Sequence, residues 1–178
     1  GYTKLNINTS TGVGQVSNYL DLLNTEQYLE LRREAYANAG LEPTAAGAPD
    51  LLLWDQDRET NWLQKLIGGT ANIRNIQTSL SGGSDQLSFR TGAGFREETT
   101  VFPGDFYNRK FSGNLSFRHN PVNSNFRASV SSLFTIDQST LPKQDLTLTA
   151  LTLPPNAPEL FEDDGSLNWE NSTWTNPL

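Results

Sequence analysis

Residues 86–97 and 106–118 read QLSFRTGAGFRE and FYNRKFSGNLSFR. In the first, Leu87, Phe89, Ala93 and Phe95 fall on every second position, with Ser88, Arg90 and Arg96 between them. In the second, Phe111, Leu115 and Phe117 alternate with Lys110, Asn114, Ser116 and Arg118. A period of two sends successive side chains to opposite faces of an extended backbone, so each segment predicts a strand with one apolar and one wet face. Gly92 and Gly94 mark places where the first of them can bend.

The same alternation extends outward. Residues 72–81 add Ile76 and Leu80 to the apolar set and Asn75, Gln77 and Ser79 to the wet one. Residues 125–136 add Phe126, Ala128, Val130, Phe134 and Ile136 against Arg127, Ser129 and Ser131. The opening residues alternate too, Thr3, Leu5, Ile7 and Thr9 opposing Tyr2, Lys4, Asn6 and Asn8, which predicts a strand over about 2–9. Between that strand and the next, Asn24 N-caps a helix over 25–39 with Gln27 as its capping partner, and Gly40 ends it. Residues 41–53 hold two prolines and several alanines and read as loop. Thr60 then caps a short amphipathic turn bearing Trp62, Leu63, Leu66 and Ile67.

Strand and loop lengths decide between a soluble sheet and a membrane one. Soluble strands average about 5–6 residues, whereas about 9–11 residues at a 45° tilt cross a bilayer. The four predicted segments between residues 72 and 136 have the second length. Their connections alternate as well: Gly82 to Asp85 and His119 to Ser124 are short, Glu98 to Asp105 is longer, and the stretches 10–71 and 137–178 are longer still. Outer-membrane barrels have short periplasmic turns and longer extracellular loops. The fold class expected is therefore all-β with small helices in a long loop: antiparallel up-and-down strands forming part of a large transmembrane β-barrel, with outer loops at 10–71 and 137–178. Five strands cannot close a barrel of eight or more, so residues 1–178 read as part of one, and as its N-terminal part on the family resemblance described below.

Composition narrows the function. The 178 residues are 35% apolar, with 14 glycines, and the mean hydropathy is −0.52, which suits a sheet with one wet face. There is no cysteine, hence no thiolate metal site or thiol nucleophile, and the single histidine, His119, has no sequence companions for catalysis. A net charge of −7 and a pI of about 4.6, with 13 lysines and arginines in all, argue against nucleic acid as a partner. Neither a signal-peptide pattern nor a run of about 18 apolar residues occurs.

The stretch Leu20-Asp21-Leu22-Leu23-Asn24-Thr25-Glu26-Gln27-Tyr28, continuing through Leu31, Arg32, Glu34, Ala35 and Ala39-Gly40, resembles SusC/RagA-like TonB-linked outer-membrane proteins. So do Thr60-Asn61-Trp62-Leu63, Ser79-Leu80-Ser81-Gly82-Gly83-Ser84, Phe111-Ser112-Gly113-Asn114-Leu115-Ser116-Phe117, Asp164-Gly165-Ser166-Leu167-Asn168-Trp169 and Asn176-Pro177-Leu178, in that order along nearly the whole chain. The resemblance implies a 22-stranded barrel in the bacterial outer membrane, in contact with its lipid. It also implies uptake of an oligosaccharide or peptide with a SusD-like surface lipoprotein. The inner-membrane TonB system would drive import through a TonB box and plug expected ahead of Gly1.

Other constellations have plainer readings. Trp54-Asp55-Gln56-Asp57 and Glu162-Asp163-Asp164-Gly165 offer carboxylates to Ca²⁺, but neither has the alternating ligand pattern of a calcium loop, so solvated acidic loops are expected and no metal. Gly12-Val13-Gly14 lacks the third glycine of a dinucleotide fingerprint, so no cofactor is expected. No sequence feature places a carboxylate pair for glycosidase chemistry, and no G-x-S-x-G occurs, so no catalytic residue is assigned and no enzyme is expected. Trp54, Trp62, Trp169 and Trp174 fall in the outer loops, where indoles either stack on a ligand or anchor loop packing; they are the candidate ligand contacts. Arg90, Arg96, Arg118 and Arg127 are expected to face the lumen. The alternative is a soluble β-sandwich carbohydrate-binding module, in which the apolar faces pack on each other instead of on lipid.

Overall fold

The computed structural model describes residues 2–122 and 126–178. Its chain divides into two compact units, one of residues 1–15 and 70–143, the other of residues 16–69 and 144–178.

The first unit is a single five-stranded sheet in sequence order: β1 Lys4–Gly14, β2 Ala71–Gly83, β3 Leu87–Thr99, β4 Tyr107–His119 and β5 Ala128–Thr140. Every neighbouring pair is antiparallel, so the architecture is the up-and-down meander that the alternation predicts. The strands run longer than their apolar residues do. β1 continues past Thr9 to Gly14 because its polar second half, Ser10 to Gly14, pairs residue for residue with Asn75 to Ala71. The backbone ladder needs no side-chain pattern to continue. β5 begins at Ala128 and runs to Thr140, four residues beyond the expected end, with Asp137, Gln138 and Ser139 paired to β4. The expected strand start at residue 125 and the end of the expected turn at Ser124 lie outside the described residues. Phe126 and Arg127 precede β5 and do not belong to its faces.

The β2–β3 connection is short, as expected. Gly83 takes φ 153°, a conformation unfavourable to any other residue, and Ser84 N–H donates to the Leu87 carbonyl at 2.6 Å.

The second unit is made from the long β1–β2 connection and the segment after β5. It contains α1 Thr25–Ala39, α2 Pro49–Leu52, α3 Trp62–Ile67, α4 Thr147–Thr152 and a 3-10 turn at Glu170–Ser172. α1 starts at a full capping box, in which Asn24 accepts from Gln27 N–H at 2.9 Å and the Gln27 side chain accepts from Asn24 N–H at 3.2 Å. It ends at Gly40 in the left-handed region, φ 65°. α3 is capped by Asn61 and not by Thr60. The Asn61 side chain sits one residue before the helix and accepts from Gln64 N–H at 3.0 Å, while Thr60 N–H donates to the Pro155 carbonyl at 2.8 Å.

Among the described residues the buried apolar side chains lie in this unit: Leu29, Ala48, Leu51, Trp54, Trp62, Leu63, Leu66, Ile67, Leu146, Ala150, Ala157 and Leu160. Residues 16–69 and 144–178 thus share one core. The sheet buries none of its large apolar residues.

Candidate functional site

The strand register assigns every sheet residue to a face, because residues directly opposite in neighbouring strands project the same way. One face carries the row Ile76, Phe95, Phe111 and Ile136, then Ala93, Gly113 and Phe134, then Leu5, Leu80 and Leu115, then Phe89, Phe117 and Val130. Many of these side chains stand open, Phe111 at 42% exposed, Leu115 at 45%, Val130 at 54% and Ile136 at 62%, as does Ile7 opposite Thr78 on the same face at 62%, while Leu80, Phe89, Phe95 and Phe117 are half-buried. From Leu87 to Phe95 the apolar band spans eight residue steps of roughly 3.4 Å, about 27 Å along the strand and about 20 Å in height at a 40° tilt. Gly113 lies under the Phe134 ring, where a Cβ would strike the ring carbons, and Phe111 and Phe134 rings sit 5.7 Å apart.

The opposite face carries Asn6, Asn8, Gln77, Ser79, Arg90, Arg96, Asn114, Ser116 and Ser129, with Arg118 in the row of Ser88. Its loop-side end holds one-to-one charge pairs: Arg96 with Glu98 at 2.9 Å, and Lys110 with Asp137 at 3.7 Å. Arg90, Arg96 and Arg118 therefore stand on the wet face as expected. Ile73 and Leu133 are apolar exceptions on it.

In the loop unit the organising group is one that alternation does not reveal. Asp50, in the first turn of α2, is 4% exposed. It accepts from Arg32 Nε at 2.7 Å, Arg32 Nη2 at 3.2 Å and the Tyr28 hydroxyl at 3.0 Å. Burial pushes its carboxyl up, but the hydrogen bonds from Arg32 and Tyr28 outweigh that and hold it below its ordinary value. The Tyr28 phenol is pushed up to about 12, by burial and by the bond to Asp50. The Asp50 carbonyl accepts from Asn156 Nδ2 and Gln56 Nε2, both at 2.9 Å, so this one residue ties α1, α2 and the segment after β5 together.

The four tryptophans divide by environment. Trp62 is 2% exposed, donates from Nε1 to the Pro154 carbonyl at 2.7 Å and meets Trp174 at 6.2 Å. Trp54 is 9% exposed and donates to Thr173 Oγ1 at 2.9 Å. Trp174 donates to the Asn168 carbonyl at 3.1 Å. These three are anchors of the unit, with their N–H groups satisfied. Trp169 is 50% exposed and immediately precedes Glu170, Asn171 and Ser172, all at positive φ. That uncommon turn is held by Glu170 N–H on Asn168 Oδ1 at 2.7 Å and Thr173 Oγ1 on the Glu170 carbonyl at 2.8 Å. Of the four indoles, Trp169 is the most exposed and offers the most free surface to a ligand.

The acidic stretches fold as turns. Asp55 caps the N–H of Asp57 at 2.9 Å, and Asp164 accepts from Ser166 N–H at 2.9 Å and Oγ at 2.6 Å, which holds its carboxyl below the usual range. Among the described residues no three metal-ligating side chains gather, and no helix is long and apolar enough to cross a membrane.

No family model and no curated protein matches the sequence. Solved structures match its fold. A structure of the RagAB peptide transporter shares the fold with TM-score 0.67, at 21% identity over 94% of this chain and 22% of its own. The RagAB peptide importer in its open-open state gives TM-score 0.67 at 19% identity over the same shares. The fold matches a fragment of a transporter barrel. The chain spans about a fifth of the length of the chains it matches.

Proposed function

We propose that this chain is part of a TonB-dependent transporter of the SusC/RagA-like group in the bacterial outer membrane, acting in nutrient import and not in catalysis. The observation that carries the reading is the exposed apolar face of a sheet with bilayer-length strands. Soluble proteins rarely leave so large a contiguous apolar patch in water, whereas lipid is the solvent it suits. In this reading the wet face lines the lumen, the short β2–β3 connection is periplasmic, and the packed loop unit is extracellular. There, a SusD-like lipoprotein and the substrate are its proposed partners. The chains it resembles in fold belong to a peptide transporter, which favours a peptide over an oligosaccharide as cargo. TonB would act through a part of the protein ahead of Gly1.

The test is spin-label accessibility in the complete protein reconstituted in lipid vesicles. Labels at Phe89, Leu115 and Val130 should be reached by a lipid-soluble quencher, and labels at Arg90, Ser116 and Ser129 by a water-soluble one. Equal water access at both sets, or an apolar set shielded from both quenchers, would overturn the reading in favour of a soluble β-sandwich.

A further inference from the structure

On β2, β3 and β4 the apolar run gives way to a charged row, with Val13 on β1 and Tyr107 on β4 one row further out. The row after Ile76, Phe95 and Phe111 holds Arg74, Glu97 and Arg109, directly opposite one another on β2, β3 and β4. Arg109 Nε donates to Glu97 Oε2 at 2.5 Å, and Arg74 Nη1 stands 3.6 Å from Glu97 Oε1. The Tyr107 ring, one row further out on the same face, lies 4.1 Å from the Arg109 guanidinium carbon and stacks against it.

Two cations share one anion, so the row carries one uncompensated positive charge. The neighbouring rows on this face are neutral, with Ile76 and Phe111 on one side and Asn72 and Tyr107 on the other. The wet face at the same end pairs its charges one to one. The shared carboxylate is recessed, its side chain 15% exposed, while Arg74 and Arg109 stand at 66% and 46%. A guanidinium has five N–H donors in a planar fork, and Glu97 engages only the Nε edge of Arg109 and one Nη of Arg74. The remaining donors are open to a tetrahedral anion, for which paired guanidiniums are well matched.

We propose that Arg74 and Arg109, splayed and held by Glu97, form a binding site for the phosphate of an anionic lipid headgroup at the loop-side rim of the apolar band. The inference rests on the membrane reading above, since the site borders the band's edge, where headgroups lie. Glu97 is a positioning residue, and Tyr107 supports Arg109 from beyond.

The test is native mass spectrometry of the complete protein in mild detergent. Phosphatidic acid, phosphatidylcholine and inorganic phosphate would each be titrated in. Phosphatidic acid should bind in preference to phosphatidylcholine, and Arg74→Gln with Arg109→Gln should weaken it by about tenfold per arginine, the scale of a lost set of charge-assisted bonds. Arg96→Gln, on the wet face, should leave binding unchanged, and Arg109→Lys should fall between wild type and Arg109→Gln. Equal phosphatidic acid binding in the double variant and wild type would overturn the proposal. So would inorganic phosphate that binds as tightly as the lipid and displaces it, which would make the site one for a free anion. Quencher access at Phe89, Leu115 and Val130, measured on the same variants, reports their folding. It also separates the two ideas: lipid access with no phosphate dependence removes only this site, and loss of lipid access removes the membrane reading.

Discussion

Replacing Asp50 by Asn keeps the side chain's size and removes its charge, and it turns an amide nitrogen or a weaker acceptor toward the Arg32 and Tyr28 donors. Breaking a fully buried ion pair costs roughly 3–5 kcal/mol. The Arg32 side chain here is 35% exposed and can regain water, so the expected cost is about 2 kcal/mol. That energy belongs to the loop unit, which has its own core, and should appear as local opening, not as loss of the sheet. At about 2 kcal/mol the open population rises roughly thirtyfold. Hydrogen exchange on the complete protein should therefore accelerate by that factor for amides of Thr25–Ala39 and stay unchanged in β2 to β4. Tyr28→Phe, which removes one hydrogen bond at 3.0 Å, should cost about 1 kcal/mol and accelerate the same amides about fivefold. Unchanged exchange across α1 in Asp50→Asn would refute the assignment of Asp50 as the unit's anchor, and equal acceleration in the sheet would refute its independence.

The same node sets a pH window. Because the folded fold lowers the Asp50 carboxyl, its stabilisation is complete above the unfolded value of about 3.9 and is lost as pH falls through the lower folded value. Tyr28, pushed up to about 12, contributes below its unfolded value of about 10 and loses that contribution as pH rises further. Protection of α1, corrected for intrinsic exchange, should be flat between about pH 4 and 10 and fall on either side, and Asp50→Asn should abolish the acid limb. On the sheet, Leu115→Arg should destabilise the reconstituted protein by about 2–4 kcal/mol and Ser116→Arg by less than about 1, since lipid penalises only the first; equivalent effects in denaturant titration would contradict the facial assignment. Trp62→Ala should open the loop unit by about 3–5 kcal/mol, whereas Trp169→Ala should leave its protection within about 0.5 kcal/mol and lower affinity for peptide or oligosaccharide; ligand binding unmoved by Trp169→Ala would remove it as a contact.

Period-two alternation is a local signal, and it carried most of the sheet. Phe89, Phe95, Phe111 and Phe117 fix the parity of β3 and β4, and one slip of register would send all four to the wet face. The α1 caps were equally local, with Asn24, Gln27 and Gly40 all inside or beside one helix. What alternation could not reach were pairings across long sequence separations. Asn156 meets the Asp50 carbonyl 106 residues away, and Trp54 meets Thr173 at a separation of 119. Neither contact leaves a periodic trace, so the core shared by residues 16–69 and 144–178 is not visible in either stretch alone. The Arg74, Glu97 and Arg109 row was legible in principle, because each has the parity of Ile76, Phe95 and Phe111. Charged residues beyond the last apolar one look like strand ends when strands are read singly, and only the register sets them side by side.

The division of burial between the two units bears on how the protein holds together. The loop unit gains stability as a soluble domain does, from Trp62, Leu66, Ala157 and their neighbours taken out of water. The sheet has no comparable source among the described residues, because its large apolar side chains stay exposed or half-buried on one face and the other face is mostly polar. Among the described residues β1 and β5 also pair on one side only, leaving a row of backbone N–H and C=O groups on each outer edge. In water that combination would invite pairing with other chains, and in lipid an open edge would cost several kcal/mol per unsatisfied group. If the apolar face meets lipid as proposed, the edges are satisfied by further strands on both sides, and the sheet's stability belongs to the closed barrel. Substitutions in the loop unit and in the sheet should therefore add independently, each read by a different probe.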